Sequence, residues 1–169
     1  MIYIMGIYGN YINENYNKHK LKKCLIVSCF AGVGKNFAIN YLTNKGYIVN
    51  SIEKIASIES MFGSDIGYIN HINELAKKSD ILFIPYFLNM ENKYIKGRVD
   101  YYLIYPNLSL KNIYIKRFKE LKFTKEQISN FIDNWDAMII DCDTCNIDEK
   151  RKIQINDNEY CLDSILNLL

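Results

Sequence analysis

The chain has 169 residues and a formal net charge of +2, with 49% hydrophobic and 24% charged residues. This length and composition predict one globular domain and exclude a disordered chain. The weak positive charge argues against a nucleic-acid partner, since such proteins usually carry a strong basic excess. Five cysteines at irregular spacing predict no disulfide framework and favour a reduced, cytoplasmic protein. No apolar run reaches the roughly 20 residues of a membrane-spanning helix, so no membrane partner is expected.

The first twenty residues differ from the rest of the chain. An apolar stretch over 2–8 precedes a polar stretch over 10–20. We interpret residues 1–20 as an N-terminal extension of unknown role, for which an extra edge strand is one option. Residues 21–169 form the predicted main domain.

From residue 21 onward, short apolar runs alternate with helical patterns. Taken in order, the patterns predict a strand at 24–27, a helix at 35–44, a strand at 47–49, helices at 52–62 and 68–78, strands at 81–84 and 101–104, helices at 110–121 and from 124, a strand at 152–155 and a short final helix. Thr124 and Gln127 form a capping-box pattern. The alternation predicts an α/β three-layer sandwich with about five mostly parallel strands and helices on both faces.

The turn between the first strand and the first helix carries the clearest chemical signal. It reads Cys29-Phe30-Ala31-Gly32-Val33-Gly34-Lys35-Asn36. Backbone amides around the two glycines, the positive end of the helix dipole and the lysine ammonium together predict a nest for polyphosphate. The expected nucleotide contacts are Phe30, Ala31, Gly32, Val33, Gly34, Lys35, Asn36 and Phe37.

This segment departs from the P-loop pattern G-x-x-x-x-G-K-[ST] at two positions. Cys29 stands at the first glycine, and Asn36 stands where a hydroxyl would bind magnesium. Asn36 offers a neutral carbonyl oxygen, which predicts a weak Mg²⁺ ligand that acts together with the nucleotide. The alternative, in which residues 31–34 form only a turn, stays open at this point.

Further segments follow the loop in an order that is typical of one family. They are Ala38–Leu42, Tyr68–Ile72, the strand from Asp80, Tyr102–Pro106, Tyr114–Lys119 and Asn134–Asp136. Together with residues 27–36, they resemble the P-loop nucleoside and deoxynucleoside monophosphate kinases of the type found in phages. The resemblance covers about residues 22–168.

The resemblance implies phosphoryl transfer from ATP, with Mg²⁺, to a nucleoside or deoxynucleoside monophosphate. It implies catalytic roles for Lys35 and Arg117, and the alternative for Arg117 is a surface ion pair. The predicted substrate contacts are Tyr68, His71 and Asp136. Structural roles remain open for the first two, and Asp136 could instead pair with Arg117 or with a lysine. Trp135 is expected in the core because it lies on the apolar stripe of its helix.

A second function class stays open beside the transferase. The position of a second family arginine falls at Leu121, and Pro85 and Tyr86 follow the strand at 81–84 where an acidic residue would support magnesium. These features favour a catalytically weakened nucleotide-binding protein that acts as a sensor or as a partner-binding factor. Hydrolysis in the manner of small GTPases is not expected, because no N/T-K-x-D motif is found. The sequence leaves the base, the sugar and the oligomeric state open.

Overall fold

The computed structural model describes residues 23–52 and 65–169 of the chain. The N-terminal extension and nearly all of the helix predicted at 52–62 therefore lie outside the described residues. The strands are β1 (Leu25–Cys29), β2 (Val49–Ser51), β3 (Ile81–Pro85), β4 (Tyr102–Pro106) and β5 (Lys152–Ile155). The α-helices are α1 (Lys35–Asn44), α2 (Asp65–Ala76), α3 (Lys111–Glu120), α4 (Lys125–Thr144) and α5 (Cys161–Leu166). A π-helical turn spans Glu91–Ile95, and 3₁₀ turns span Leu108–Leu110 and Glu149–Arg151.

The five strands form one sheet in the order β2-β3-β1-β4-β5, and every pair is parallel. β1 lies in the centre, where Val27 stands opposite Phe83 on one side and Tyr102 on the other. Each of β1, β3 and β4 is almost entirely buried, as expected for strands covered on both faces. The predicted α/β class and the parallel sheet are confirmed.

Helices cover both faces of this sheet. The connection from β1 to β2 crosses the sheet in one direction, and the connections from β2 to β3, β3 to β4 and β4 to β5 run in the opposite direction. Right-handed crossovers then place α1 on one face and α2, α3 and α4 on the other. α5 packs against α1, whereas α3 and α4 pack against each other. The three-layer arrangement predicted from the sequence is therefore observed.

Most predicted elements occur within a few residues of their expected positions, and α1 and β5 have the predicted bounds. Strand β2 begins at Val49 rather than at Tyr47, and the residue between them bonds to Asp80, the residue before β3. The amide of Ile48 donates to the Asp80 carboxylate at 2.8 Å, and its carbonyl accepts from the amide of Asp80, also at 2.8 Å. Within the described part of the chain, no helix has the length and apolarity that a membrane crossing requires.

Two local predictions on α4 are confirmed. Thr124 accepts a hydrogen bond from the amide of Gln127, and the Gln127 side chain accepts one from the amide of Thr124, which completes a capping box. Trp135 is 1% exposed and lies in the core. Its indole nitrogen donates to the carbonyl of Leu108 at 2.9 Å, so the one polar atom of this side chain is satisfied.

Candidate functional site

The predicted phosphate loop leaves the carboxyl end of β1, the central strand. The chain crosses the sheet in one direction after β1 and in the other direction after its neighbours β3 and β4. In open α/β sheets, ligands bind in the crevice outside the carboxyl ends of the strands where this direction changes. The fold thus places residues 30–34 at the position where a ligand site is expected.

Two glycines give the loop its shape. Gly32 has φ +81° and Gly34 has φ +91°, which is the left-handed region that disfavours residues with a Cβ. A Cβ at position 32 would lie 3.0 Å from the Phe118 ring, and one at position 34 would lie 3.0 Å from the Tyr160 ring. Both glycines are therefore required by backbone angle and by close packing.

Helix α1 begins without any of the usual stabilising groups at its N-terminus. Gly34 has no side chain to cap it, the first turn has no acidic residue, and the first helical residue is Lys35. A cation at this end opposes the helix dipole. Among the described residues, the amides of Gly32, Val33 and Gly34 find no hydrogen-bond acceptor. These unused donors and the adjacent ammonium suit an anion.

Cys29 stands at the position of the first glycine in the motif, and its side chain is buried. It pairs with Pro85 on one side and with Ile104 on the other as the last residue of β1, and it is 6% exposed. Burial and the neighbouring Cys161 thiol raise the pKa of Cys29 well above its usual value, so it remains a thiol. The Cys161 amide donates to the Val33 carbonyl at 2.9 Å, which fixes the back of the loop to α5.

Phe30 anchors the loop in an aromatic cluster. Its ring centre lies 5.5 Å from that of Tyr86 and 5.6 Å from that of Trp135, and it also contacts Tyr114 and Phe131. These separations fall within the roughly 4.5–7 Å range of favourable aromatic pairs. The cluster ties the carboxyl end of β1 to α3 and α4 and holds the loop rigidly.

Lys35 extends across the carboxyl edge of the sheet. Its Nζ donates a hydrogen bond of 3.0 Å to the hydroxyl of Ser51, the last residue of β2. Since β3 lies between β1 and β2, the Lys35 side chain reaches past the end of β3 to make this contact. Sequence reasoning did not predict a role for Ser51, because one serine at a strand end is unremarkable until the sheet order is known.

A cavity of about 290 Å³ opens beside the loop. Its walls come from the loop, α1, the end of α3 and the residue before α5. The residues are Gly32, Gly34, Phe37, Arg117, Glu120, Leu121 and Tyr160. The walls are mainly apolar, and three of the residues, Phe37, Leu121 and Tyr160, are large hydrophobic side chains that are more than a third exposed. Ligand pockets of roughly 300–1,000 Å³ with mainly apolar walls are common, so the size suits a small planar group.

Arg117 is held between two aromatic rings. Its guanidinium carbon lies 4.9 Å from the centre of the Tyr114 ring and 4.7 Å from that of the Tyr160 ring. Nη2 donates to the Asp157 carbonyl at 2.8 Å. Nη1 and the Tyr114 hydroxyl are both buried and form no hydrogen bond with any described residue. Burial raises the pKa of Tyr114, and the adjacent guanidinium partly opposes that shift.

The structure brings several of the predicted site residues together. Four of them, Gly32, Gly34, Phe37 and Arg117, line the cavity, and Lys35 begins α1 directly after Gly34. The side chains of Phe30 and Val33 are buried in the core, so these two residues can offer a ligand only their backbone groups. Among the described residues, Arg117 forms no ion pair, and its polar contact is to a backbone carbonyl.

The structure gives a different result for each of the three predicted substrate contacts. Tyr68 is completely buried, so no face of its ring is open for stacking on a base, and the prediction for this residue is not supported. Asp136 is exposed and pairs with Lys111 at 3.7 Å rather than with Arg117. It contributes nothing to the cavity beside the loop. His71 is half-buried on α2, and its substrate role stays a prediction.

The described residues offer few ligands for magnesium. Asn36 is exposed on the first turn of α1, and Pro85 and Tyr86 occupy the end of β3. The described residues contain no group of three or more His, Cys, Asp or Glu side chains that could hold a metal ion. Neutral oxygens such as the Asn36 amide fit a cation that is held mainly by phosphate and water, as Mg²⁺ usually is in kinases.

No protein-family model matches the chain, and no curated protein matches it. Among solved structures, it is similar to an uncharacterized protein from Eubacterium ventriosum. The two share 15% identity over 85% of this chain and 97% of the other, with a TM-score of 0.45. This level of likeness carries no argument about function, so the site has to be interpreted from its own geometry.

Proposed function

We propose that the chain binds a nucleoside triphosphate at the loop of residues 30–35 and transfers its terminal phosphoryl group to a nucleoside or deoxynucleoside monophosphate. One observation supports this most directly. Two left-handed glycines and unused amides lie at the carboxyl end of β1 beside an apolar cavity, and the Lys35 ammonium lies along the same edge of the sheet, at the end of β2. A polyphosphate with a planar base attached matches both parts of this arrangement.

The loop and the start of α1 would hold the phosphates. Backbone amides donate to phosphate oxygens without carrying a counter-charge, and the helix dipole adds to the positive potential. Lys35 supplies a compact cation that several oxygens can share. Because the loop is anchored through Phe30 and through the Val33 carbonyl, its donors are already in place before a ligand arrives.

The cavity would hold the base. Phe37, Leu121 and Tyr160 supply apolar surface, and the Arg117 guanidinium is a flat cation beside them. Guanidinium planes stack on aromatic rings, including nucleobases. The role proposed here for Arg117 is therefore contact with the base or ribose, since Nη2 is already committed to Asp157.

The reaction needs positioning and charge neutralisation more than covalent chemistry. An oxygen of the acceptor monophosphate forms a new bond to the γ-phosphorus while the bond from that phosphorus to the bridging oxygen breaks. The products are a nucleoside diphosphate from the acceptor and ADP when the donor is ATP. Mg²⁺ would neutralise part of the phosphate charge, and Asn36 is the candidate protein ligand near it.

A catalytically weakened nucleotide-binding protein is the second candidate, and three positions favour it. Leu121 lies on the cavity wall where the family resemblance implies a second arginine, and it is 56% exposed. Asn36 stands where the motif has a serine or threonine hydroxyl, and β3 ends at Pro85 rather than at an acidic residue. Such a protein would report on nucleotide levels or act through a partner.

A phosphoryl-transfer screen distinguishes the two candidates. Purified protein is incubated with ATP and Mg²⁺ against each common ribo- and deoxyribonucleoside monophosphate, and diphosphate formation is measured by chromatography. The Lys35→Ala variant is the control. Transfer to at least one acceptor that is lost in the variant supports the kinase. ATP binding without transfer to any acceptor supports the weakened protein, and the absence of both rejects the proposed site.

A further inference from the structure

The hydrogen bond between Lys35 and Ser51 joins the start of α1 to the end of β2. Ser51 is half-buried and stands in register with Phe83 of β3. The amide of the next residue, Ile52, donates to the Phe83 carbonyl at 2.9 Å, so the backbone on both sides of the hydroxyl is held by the sheet. The Ser51 hydroxyl is thus carried by backbone that the sheet holds in place.

We propose that Ser51 is a positioning residue that orients the Lys35 ammonium toward phosphate. This inference rests on the proposed nucleotide site. A lysine side chain has four rotatable bonds and loses much freedom when its head group is fixed. An acceptor on the rigid edge of the sheet restricts that freedom before the ligand binds, and the ligand then meets an ammonium already close to its bound position.

The chemical type of the acceptor matters as much as its location. A carboxylate at position 51 would pair with the ammonium and cancel the charge that polyphosphate needs. A hydroxyl is neutral, so it orients Lys35 without cancelling its charge.

The proton of the Ser51 hydroxyl adds to this arrangement. Ser51 accepts from Lys35, and within the described residues its own proton has no acceptor. The hydroxyl can therefore accept a hydrogen bond from Lys35 and donate another to a phosphate oxygen at the same time. Threonine would preserve both functions, whereas valine would preserve the shape and remove them.

Isothermal titration with ATP and with inorganic tripolyphosphate tests this role, because tripolyphosphate binds without using the base cavity. The matched pair is Ser51→Thr and Ser51→Val, since both residues are β-branched and suit a strand. Ser51→Thr is expected to bind both compounds within about twofold of wild type. Ser51→Val is expected to bind both about three- to tenfold more weakly, a loss of roughly 0.6–1.4 kcal/mol. Equal affinities in the two variants would overturn the inference.

A double-mutant cycle separates positioning from a merely structural effect. In the Lys35→Ala background, Ser51→Val is expected to weaken tripolyphosphate binding less than it does in wild type, because the group it orients is absent and only the hydrogen bond from the hydroxyl to phosphate remains to be lost. The same loss in both backgrounds would show that Ser51 acts independently of Lys35 and would reject the proposal. Ser79→Ala is the control for losing a half-buried serine hydroxyl, since Ser79 bonds to Leu75 and Asn50 before the start of β3.

These outcomes also separate the inference from the proposed function. If wild type binds ATP and Lys35→Ala does not, while Ser51→Val matches wild type, only the role of Ser51 is rejected. If wild type binds neither ATP nor tripolyphosphate, both proposals fall. Thermal unfolding of each variant shows whether a loss of binding reflects loss of the folded state.

Discussion

Arg117 on α3 stacks against Tyr160, the residue directly before α5, with 4.7 Å between the guanidinium carbon and the ring centre. The Tyr160 ring also lies against Gly34, where a Cβ would be 3.0 Å from it. One aromatic side chain therefore connects the loop, α3 and the chain before α5. Both Arg117 and Tyr160 line the cavity beside the loop.

Tyr160→Leu is expected to weaken ATP binding about three- to tenfold, because the substitution removes a ring from the wall of the cavity and loosens Arg117. Tripolyphosphate binding should change by less than about twofold, since the loop donors remain. Titration of both compounds measures the difference. Tyr102→Leu, at the first residue of β4, is the control. Equal weakening for the two compounds would show that Tyr160 supports the loop rather than the base.

Gly34→Ala is expected to weaken ATP binding by at least about tenfold and to destabilise the fold by about 1–3 kcal/mol, because φ is +91° and the methyl group would meet Tyr160. Gly97→Ala is a close control. Gly97 has φ +69°, and a Cβ there would meet nothing within 4 Å. It should lose stability from backbone strain but keep wild-type affinity. Titration and urea unfolding report the two quantities, and retained ATP affinity in Gly34→Ala would count against the loop.

Thr124→Ala is expected to lower the free energy of unfolding by about 1 kcal/mol, because it removes the acceptor for the Gln127 amide at the start of α4. Urea unfolding gives the value. The exposed Thr43 lies inside α1, and Thr43→Ala should be neutral or slightly stabilising because alanine is the better helix former. If Thr43→Ala lowers the free energy of unfolding as much as Thr124→Ala does, the assigned cap is contradicted.

Leu121→Arg is expected to raise the phosphoryl-transfer rate at least about tenfold, because it adds a guanidinium to a cavity wall that adjoins the loop. Leu108→Arg is the control for adding an arginine at an exposed leucine outside the cavity. Steady-state kinetics with saturating ATP measure the effect. Unchanged kcat with intact ATP binding would show that a missing cation does not limit the reaction.

Much of this fold could be predicted because local patterns and the final structure agree. The apolar runs that became β1, β3 and β4 are long enough and free enough of charge to be buried on both faces. The capping box at Thr124 depends only on residues 124–127, and the apolar stripe that carries Trp135 follows helical spacing. The loop was recognisable because its chemistry is contiguous in sequence.

The rest of the site depends on contacts between residues that are distant in sequence. Ser51 reaches Lys35 only because β2 and β1 share a sheet, and Tyr160 reaches Gly34 only because α5 packs beside α1. The position of Tyr68 depends on packing in the same way. Its spacing on α2 allowed either the core or the surface, and packing against the sheet placed it in the core.

The central claim is that Lys35 and the amides beside it bind polyphosphate. Isothermal titration of ATP against wild type and Lys35→Ala tests it most directly, with Lys45→Ala as the control because it removes the same charge from the other end of α1. We expect Lys35→Ala to bind at least about tenfold more weakly, a loss of roughly 1.4 kcal/mol, and Lys45→Ala to bind like wild type. Equal ATP affinity in wild type and Lys35→Ala would contradict the account.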